Sequence, residues 1–262
     1  SGSISAVTGG NAAVGVFARA DYGTASVSNS GEITASAGTD YYLGYAAYGM
    51  LARGEYVEAF NSGDIVATAD AYATGIAAAS YYGTTVVTTG GDIDVSADGA
   101  LVLRSYQGYY GTYYYYALVG AAIGIDASAG YGDVTVSSAS DITAQSLYVS
   151  ATGINATALY DVAVTNSGDI HAASLYSYAT GINASASSIY LGKYYGSLVF
   201  DGTTTVSNSG DITLYAPQSS SGRAIGIKAT RGVGDVVVGN SGDIDIYAGG
   251  RSYGIYAHTT YG

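Results

Sequence analysis

The chain has no cysteine and no tryptophan, and only one proline and one methionine among its 262 residues. Without cysteine, neither a disulfide framework nor a Cys-based zinc site is available. The absence also suits a chain threaded across membranes unfolded, where premature disulfides obstruct passage. Basic residues are scarce: 8 Lys and Arg stand against 20 Asp and Glu, a net charge of -12. Such a surface repels phosphate backbones, so nucleic acid is a poor partner. No apolar run reaches the roughly 18 residues of a membrane-spanning helix. The opening SGSISAVTGG lacks the charged and apolar regions of a signal peptide, so a leader has been removed or the chain is a piece of something longer.

What is abundant is glycine, 39 residues, and tyrosine, 29. The glycines follow no collagen period, so they serve turns or tight packing. Apolar residues make up 48%, enough for a core.

A five-residue phrase recurs through the chain. It reads NSGEI at Asn29–Ile33 and NSGDI at Asn61–Ile65, Asn166–Ile170, Asn208–Ile212 and Asn240–Ile244. Degenerate copies end at Ile4, Ile93 and Ile142, giving eight. Successive isoleucines are 29, 32, 28, 49, 28, 42 and 32 residues apart, a base period of about 28 with two insertions. A second anchor, Gly-Ile or a close variant, falls within every period, as at Gly75-Ile76, Gly153-Ile154 and Gly226-Ile227. A third, Val-x-Val, precedes the phrase at Val134, Val162 and Val236. Around each anchor apolar and polar residues alternate, which is strand-like, and Gly, Asn, Ser or Asp bound each short stretch.

Three phrases in fixed order predict an all-β parallel solenoid over 1–262. Three short strands form each coil, in about eight coils of about 28 residues, and each strand pairs with its equivalent one coil on. At the spacing of paired strands, eight coils make a rod of roughly 38 Å. The preference of parallel crossovers predicts a right-handed coil. The insertions fall at about 97–119 and 186–202.

The NSG turn predicts a ladder of stacked amides at Asn29, Asn61, Asn166, Asn208 and Asn240, interrupted at Thr89 and Ser138. Glycine in it is expected to supply a positive φ. The acids Asp64, Asp92, Asp141, Asp169, Asp211 and Asp243, with Glu32, form a column in the same turn. Stacked carboxylates repel, and bound Ca²⁺ would relieve that repulsion, so a Ca²⁺ column is a candidate. The nonapeptide Ca²⁺ repeat is missing, however, and the chemistry of Asp in turns accounts for the column without a metal. No cofactor and no metal are expected on that ground. The two histidines, His171 and His258, lack the converging partners of a zinc site.

The phrases V-x-V-x-N-S-G-D-I-x-A and A-T-G-I-x-A resemble, along the whole chain, the repeats of bacterial autotransporter passengers, most nearly the Tyr-rich haemagglutinin-like surface proteins. The resemblance implies a right-handed β-helix displayed outside a Gram-negative cell, secreted through a C-terminal β-barrel that this chain lacks, and a role in adhesion or aggregation.

Catalysis is not expected. No G-x-S-x-G elbow or triad order is found, and the acids form a column rather than the paired carboxylates of a polysaccharide-cleaving cleft. Interaction is expected instead at the tyrosines of the insertions: Tyr106, Tyr109, Tyr110 and Tyr113–Tyr116 in the longer, Tyr194 and Tyr195 in the shorter. Loops leaving a solenoid often form its binding face, and tyrosine suits adhesive contacts and sugar stacking. The expected role is a non-catalytic extracellular rod on the bacterial surface, presenting these residues for adhesion, aggregation or fibre formation. Two alternatives are a filament subunit stacking end to end and a polysaccharide-binding or -cleaving β-helix. The expected partners are further copies, head to tail or side by side, or the continuation of a longer chain, together with cell-surface glycans or other cells.

Overall fold

A computed structural model describes residues 2–9, 12–38, 45–108, 111–187, 202–218 and 223–261. All of its strands but two belong to three parallel sheets, as in a β-solenoid. The first sheet has eight strands, each opening on the isoleucine of the NSGDI phrase, from Ile4–Thr8 to Ile244–Ala248. The second has eight, carrying the Gly-Ile anchors, from Ala12–Arg19 to Arg251–Tyr261. The third has seven, carrying Val-x-Val, from Thr24–Asn29 to Asp235–Asn240. Neighbours within each sheet are equivalent phrases one repeat apart, so each circuit but the last contributes one strand to each sheet.

Register follows the sequence phrases. Ile142 pairs with Ile170 and Ile170 with Ile212; Ile154 pairs with Ile182; Val136 pairs with Val164 and Val164 with Val206. A one-residue slip would turn every inward Ile and Val to solvent, so burial of one face fixes the pairing. The inward columns are fully buried, Ile65, Ile76, Val87, Ile93, Ile125, Ile154, Ile182, Ile212 and Ile227 among them. Ile244 is an exception to the expected core: it is only partly buried, because no strand covers the far side of the last circuit.

Two expectations need correction. The strands are not all short: those of the second sheet run to eight, nine or eleven residues, against five or six in the first and third. Along Ala121–Ala129, Gly124 and Ile125 are both buried although adjacent, with Ile123 and Asp126 flanking them on the outer side. The strand bends at this doublet, and the same doublet recurs in each circuit. A Cβ on Gly49, Gly75, Gly124 or Gly153 would meet the carbonyl oxygen of the next circuit's glycine at 2.6–2.7 Å and press on Cγ2 of that circuit's first-sheet isoleucine. Gly75 thus makes room for Ile93, and Gly153 for Ile170. The two anchor phrases are the two halves of one packing contact.

The second correction concerns the NSG glycine. Among the described residues positive φ occurs only at Gly23, Gly99, Gly120 and Gly234. Gly63, Gly168, Gly210 and Gly242 are needed for a different reason. A Cβ on any of them would collide with the backbone carbonyl of the same turn one circuit before: Gly31, Ser140, Gly168 and Gly210, respectively. The turns stack backbone on backbone.

Candidate functional site

The NSG turn is built by its asparagine. Nδ2 of Asn29, Asn61, Asn166, Asn208 and Asn240 donates to the carbonyl two residues on, at 2.5–2.6 Å. The same nitrogen donates to the next circuit: Asn29 to Oδ1 of Asn61, Asn166 to Asn208, and Asn208 to Asn240, at 2.7–2.8 Å. The ladder breaks where the sequence departs from asparagine. Asn61 reaches only the Thr89 hydroxyl, at 3.4 Å, and Thr89 pairs with the hydroxyl of Ser140 at 2.8 Å.

The acidic column beside it is joined by amides. The N–H of Asp92 donates to Oδ1 of Asp64, Asp169 to Asp141, Asp211 to Asp169, and Asp243 to Asp211, at 2.8–3.0 Å. Each of these bonds pairs an ionised acceptor with a backbone donor. In the opposite sense, the N–H of Ile142 donates to the carbonyl of Asp169, and Ile170 to Asp211, both at 2.8 Å. These carboxylates therefore tie circuit to circuit. Among the described residues no group of three or more His, Asp or Glu is placed to hold a metal ion. His171 sits on the outer side of the first sheet between Thr143 and Thr213. His258 stacks on Tyr256 at 6.2 Å.

The longer insertion is a structured element. Ala100–Gly108 and Gly111–Val119 pair antiparallel as a two-stranded ribbon, apart from the three parallel sheets. The chain enters and leaves it through Gly99 and Gly120, both at positive φ. In register, Tyr106 faces Tyr113, Arg104 faces Tyr115, Ser105 faces Tyr114 and Leu103 faces Tyr116. Alternation puts Tyr113 and Tyr115 on one side, and Tyr114 and Tyr116 with Leu103 on the other. All of these tyrosines are more than half exposed. The ribbon has one charged residue, Arg104, and no carboxylate. Tyr109 and Tyr110, as well as Tyr194, Tyr195 and nearly all of the shorter insertion, lie outside the described residues.

Other tyrosines stack along the axis. Tyr148 lies over Tyr176 at 5.4 Å and Tyr215 over Tyr247 at 5.3 Å, both pairs within 13° of parallel. Tyr82 stacks on Tyr131 at 5.9 Å. These rings cover the outside of the rod in offset pairs.

One constellation escapes sequence reading. On the outer face of the second sheet a groove lies between the row Thr152, Thr180 and Ile225 and the row Asn155, Asn183 and Lys228. One row contains Asp126, Asn155, Asn183 and Lys228 in register. Asn155 Nδ2 donates to Oδ1 of Asp126, and Asn183 Nδ2 to Oδ1 of Asn155, both at 2.7 Å. Burial raises the Asp126 carboxyl above its ordinary value, and the Asn155 hydrogen bond opposes that rise. No protein-family model, no curated protein and no solved structure matches this chain.

Proposed function

We propose that the chain is a non-catalytic structural rod, exposed outside a bacterial cell, which uses its tyrosine ribbon for adhesion, aggregation or fibre formation. In this reading the three sheets wind as a right-handed solenoid of about eight coils of about 28 residues, like the autotransporter passengers whose repeats it resembles. The observation that carries the reading is the ribbon Ala100–Val119. A two-stranded ribbon is marginal in water by itself, and here both faces are aromatic and, among the described residues, no third strand joins either edge. An unpaired edge is a template for another strand. The rod does not need the ribbon, since Ala121 resumes the second sheet in register with Tyr72. Acids arranged in an axial column, with Asp64, Asp141, Asp169 and Asp211 each accepting the next circuit's amide, favour a structural over a catalytic role.

The test replaces Tyr106 and Tyr113–Tyr116 with serine in cells displaying the chain. Cell–cell aggregation and surface adhesion should fall while circular dichroism of the purified chain stays unchanged. Undiminished adhesion by a folded variant would refute the ribbon's role.

A second reading, end-to-end stacking, rests on the two outermost circuits. Ile255 is 47% exposed where its stacked equivalents Ile182 and Ile227 are fully buried, and Ile4 is 36% exposed where Ile33 is buried. Both outer circuits carry the same inward phrases, and among the described residues no further strand joins their outer edges, so a second copy or further repeats of the same chain fit there by register. Stacked copies form an open, heterologous assembly. Light scattering against concentration separates this reading from side-by-side contact through the ribbon, which loses its concentration dependence when the tyrosines are replaced.

A further inference from the structure

Charge is unevenly placed on this acidic chain. Six of its eight Lys and Arg residues stand on second-sheet strands, against one of its twenty carboxylates, Asp126. Two of the six, Arg223 and Lys228, line one end of the groove, and a third, Arg251, lies one circuit on from Arg223. Arg223 pairs in register with Arg251 in the next circuit, and Lys228 lies on the opposite row, beside Asn183. Tyr178 immediately precedes Ala179, the partner of Ala224, so Tyr178, Arg223 and Arg251 stand in line. Arg231 takes no part: it is buried and donates to the carbonyls of Tyr160 and Val233.

Two like charges directly opposite on neighbouring strands repel. Among the described residues neither arginine is ion-paired with a carboxylate. Arg223 is instead held over aromatic rings, 5.3 Å from the centroid of Tyr253 and 5.9 Å from that of Tyr256, a cation–π arrangement. The groove beside these cations encloses about 340 Å³, lined by Tyr178, Asn183, Arg223 and Lys228 among others. That is the lower end of the range for small-molecule sites. Thr152, Asn155 and Thr180 add hydroxyl and amide groups to its lining, which suit the hydroxyls of a sugar and are not needed by a bare anion.

We infer that this end of the groove binds an acidic saccharide, a uronate-type sugar whose carboxylate lies between Arg223 and Arg251. Each part of such a ligand has a counterpart in the site. The carboxylate matches two arginines that stand in register on neighbouring strands, since guanidinium groups bind planar anions bidentately. The ring hydroxyls meet the Thr152, Asn155 and Thr180 side chains that line the groove. The apolar face of the pyranose lies against the ring of Tyr178. The inference is independent of the tyrosine ribbon, which leaves the rod several circuits away.

The test is calorimetric titration of the whole chain with tetragalacturonate, with the neutral galactotetraose and with sodium sulfate. Tetragalacturonate should bind, more weakly as salt is raised, and its affinity should fall by about tenfold or more in both R223Q and R251Q, each of which removes one charged fork. Tyr178→Ala should weaken it too, whereas serine at Tyr114 and Tyr116 of the ribbon should leave it unchanged. Circular dichroism establishes that each variant is folded. Failure of tetragalacturonate to bind would overturn the inference, as would undiminished binding by folded R223Q and R251Q. Equal affinity for sulfate or for galactotetraose would overturn it as well, since the site would then read charge alone or sugar alone.

Discussion

Nδ2 of Asn166 donates to Oδ1 of Asn208 at 2.8 Å, but Oδ1 of Asn166 itself receives nothing. The residue in register before it is Ser138, whose hydroxyl instead accepts from the N–H of Ser140 at 3.3 Å. An asparagine at 138 would place Nδ2 where the other rungs have it, within reach of Asn166 Oδ1. Ser138→Asn should therefore stabilise the chain by about 1 kcal/mol, the net worth of one buried hydrogen bond. Chemical denaturation monitored by circular dichroism measures the change. A destabilised variant would mean that the serine turn cannot accept the longer side chain.

The glycine column makes a contrasting prediction. Gly153→Ala puts a methyl group 2.7 Å from the carbonyl of Gly181 and against Ile170, so it should cost about 1–3 kcal/mol as overpacking. Gly90→Ala, where nothing lies within 4 Å, is the control and should be nearly neutral. Thermal melts of the two variants test the pair, and equal losses would deny the close approach of strand and isoleucine.

Inward isoleucines tolerate charge even less. Ile154 is fully buried between Ile125 and Ile182. Ile154→Asp buries a carboxylate without a partner and should cost several kcal/mol, on the order of 4 or more. Loss of the folded circular dichroism signal, or a denaturation midpoint sharply lowered, is the expected readout.

Asp126 gives the chain a pH dependence of known sign. Its folded pKa is raised above the ordinary 3.8, chiefly by burial. In the window from that value upward to the folded pKa, the native state holds a proton that the unfolded state has released. Stability therefore falls as pH rises through the window and is greatest, for this group, below it. Asp126→Asn should remove this contribution and make the chain more stable at pH 7, while Asn155 keeps an acceptor. Denaturation midpoints from pH 3.5 to 7 for both proteins test it; parallel curves would show that Asp126 ionises freely.

The parallel pairing was legible because Ile, Val and Asn recur in phase, and a phase repeated eight times defines its own register. Three features were hidden. The Gly-Ile doublet turns two adjacent residues inward, which breaks period-two alternation and makes one nine-residue strand look like two short pieces. The stretch ALVLRSYQG and its partner GTYYYYALV carry large residues on both faces, so no alternation betrays a ribbon. Glycine in NSG suggests positive φ by habit, whereas its cause is the carbonyl of a turn about 28 residues earlier in sequence. The Arg223–Arg251 pair was out of reach for the same reason: 28 residues separate the two, and only the sheet brings them side by side.

The hydrogen bonds joining one circuit to the next lie along the axis of the rod. A pull on the two ends therefore loads every interface between circuits in series, and each bears the whole force. Strength under tension is then set by the weakest interface and not by the sum. Where Asn61 meets Thr89 at 3.4 Å, and where Asn166 lacks a donor, the side-chain rungs are long or missing. Under load, extension should begin in the region from Asn61 to Asn166, the region from which the tyrosine ribbon also projects. A partner gripping that ribbon would pull on the most compliant part of the rod, leaving the better-laddered circuits from Asn166 to Asn240 intact while it yields.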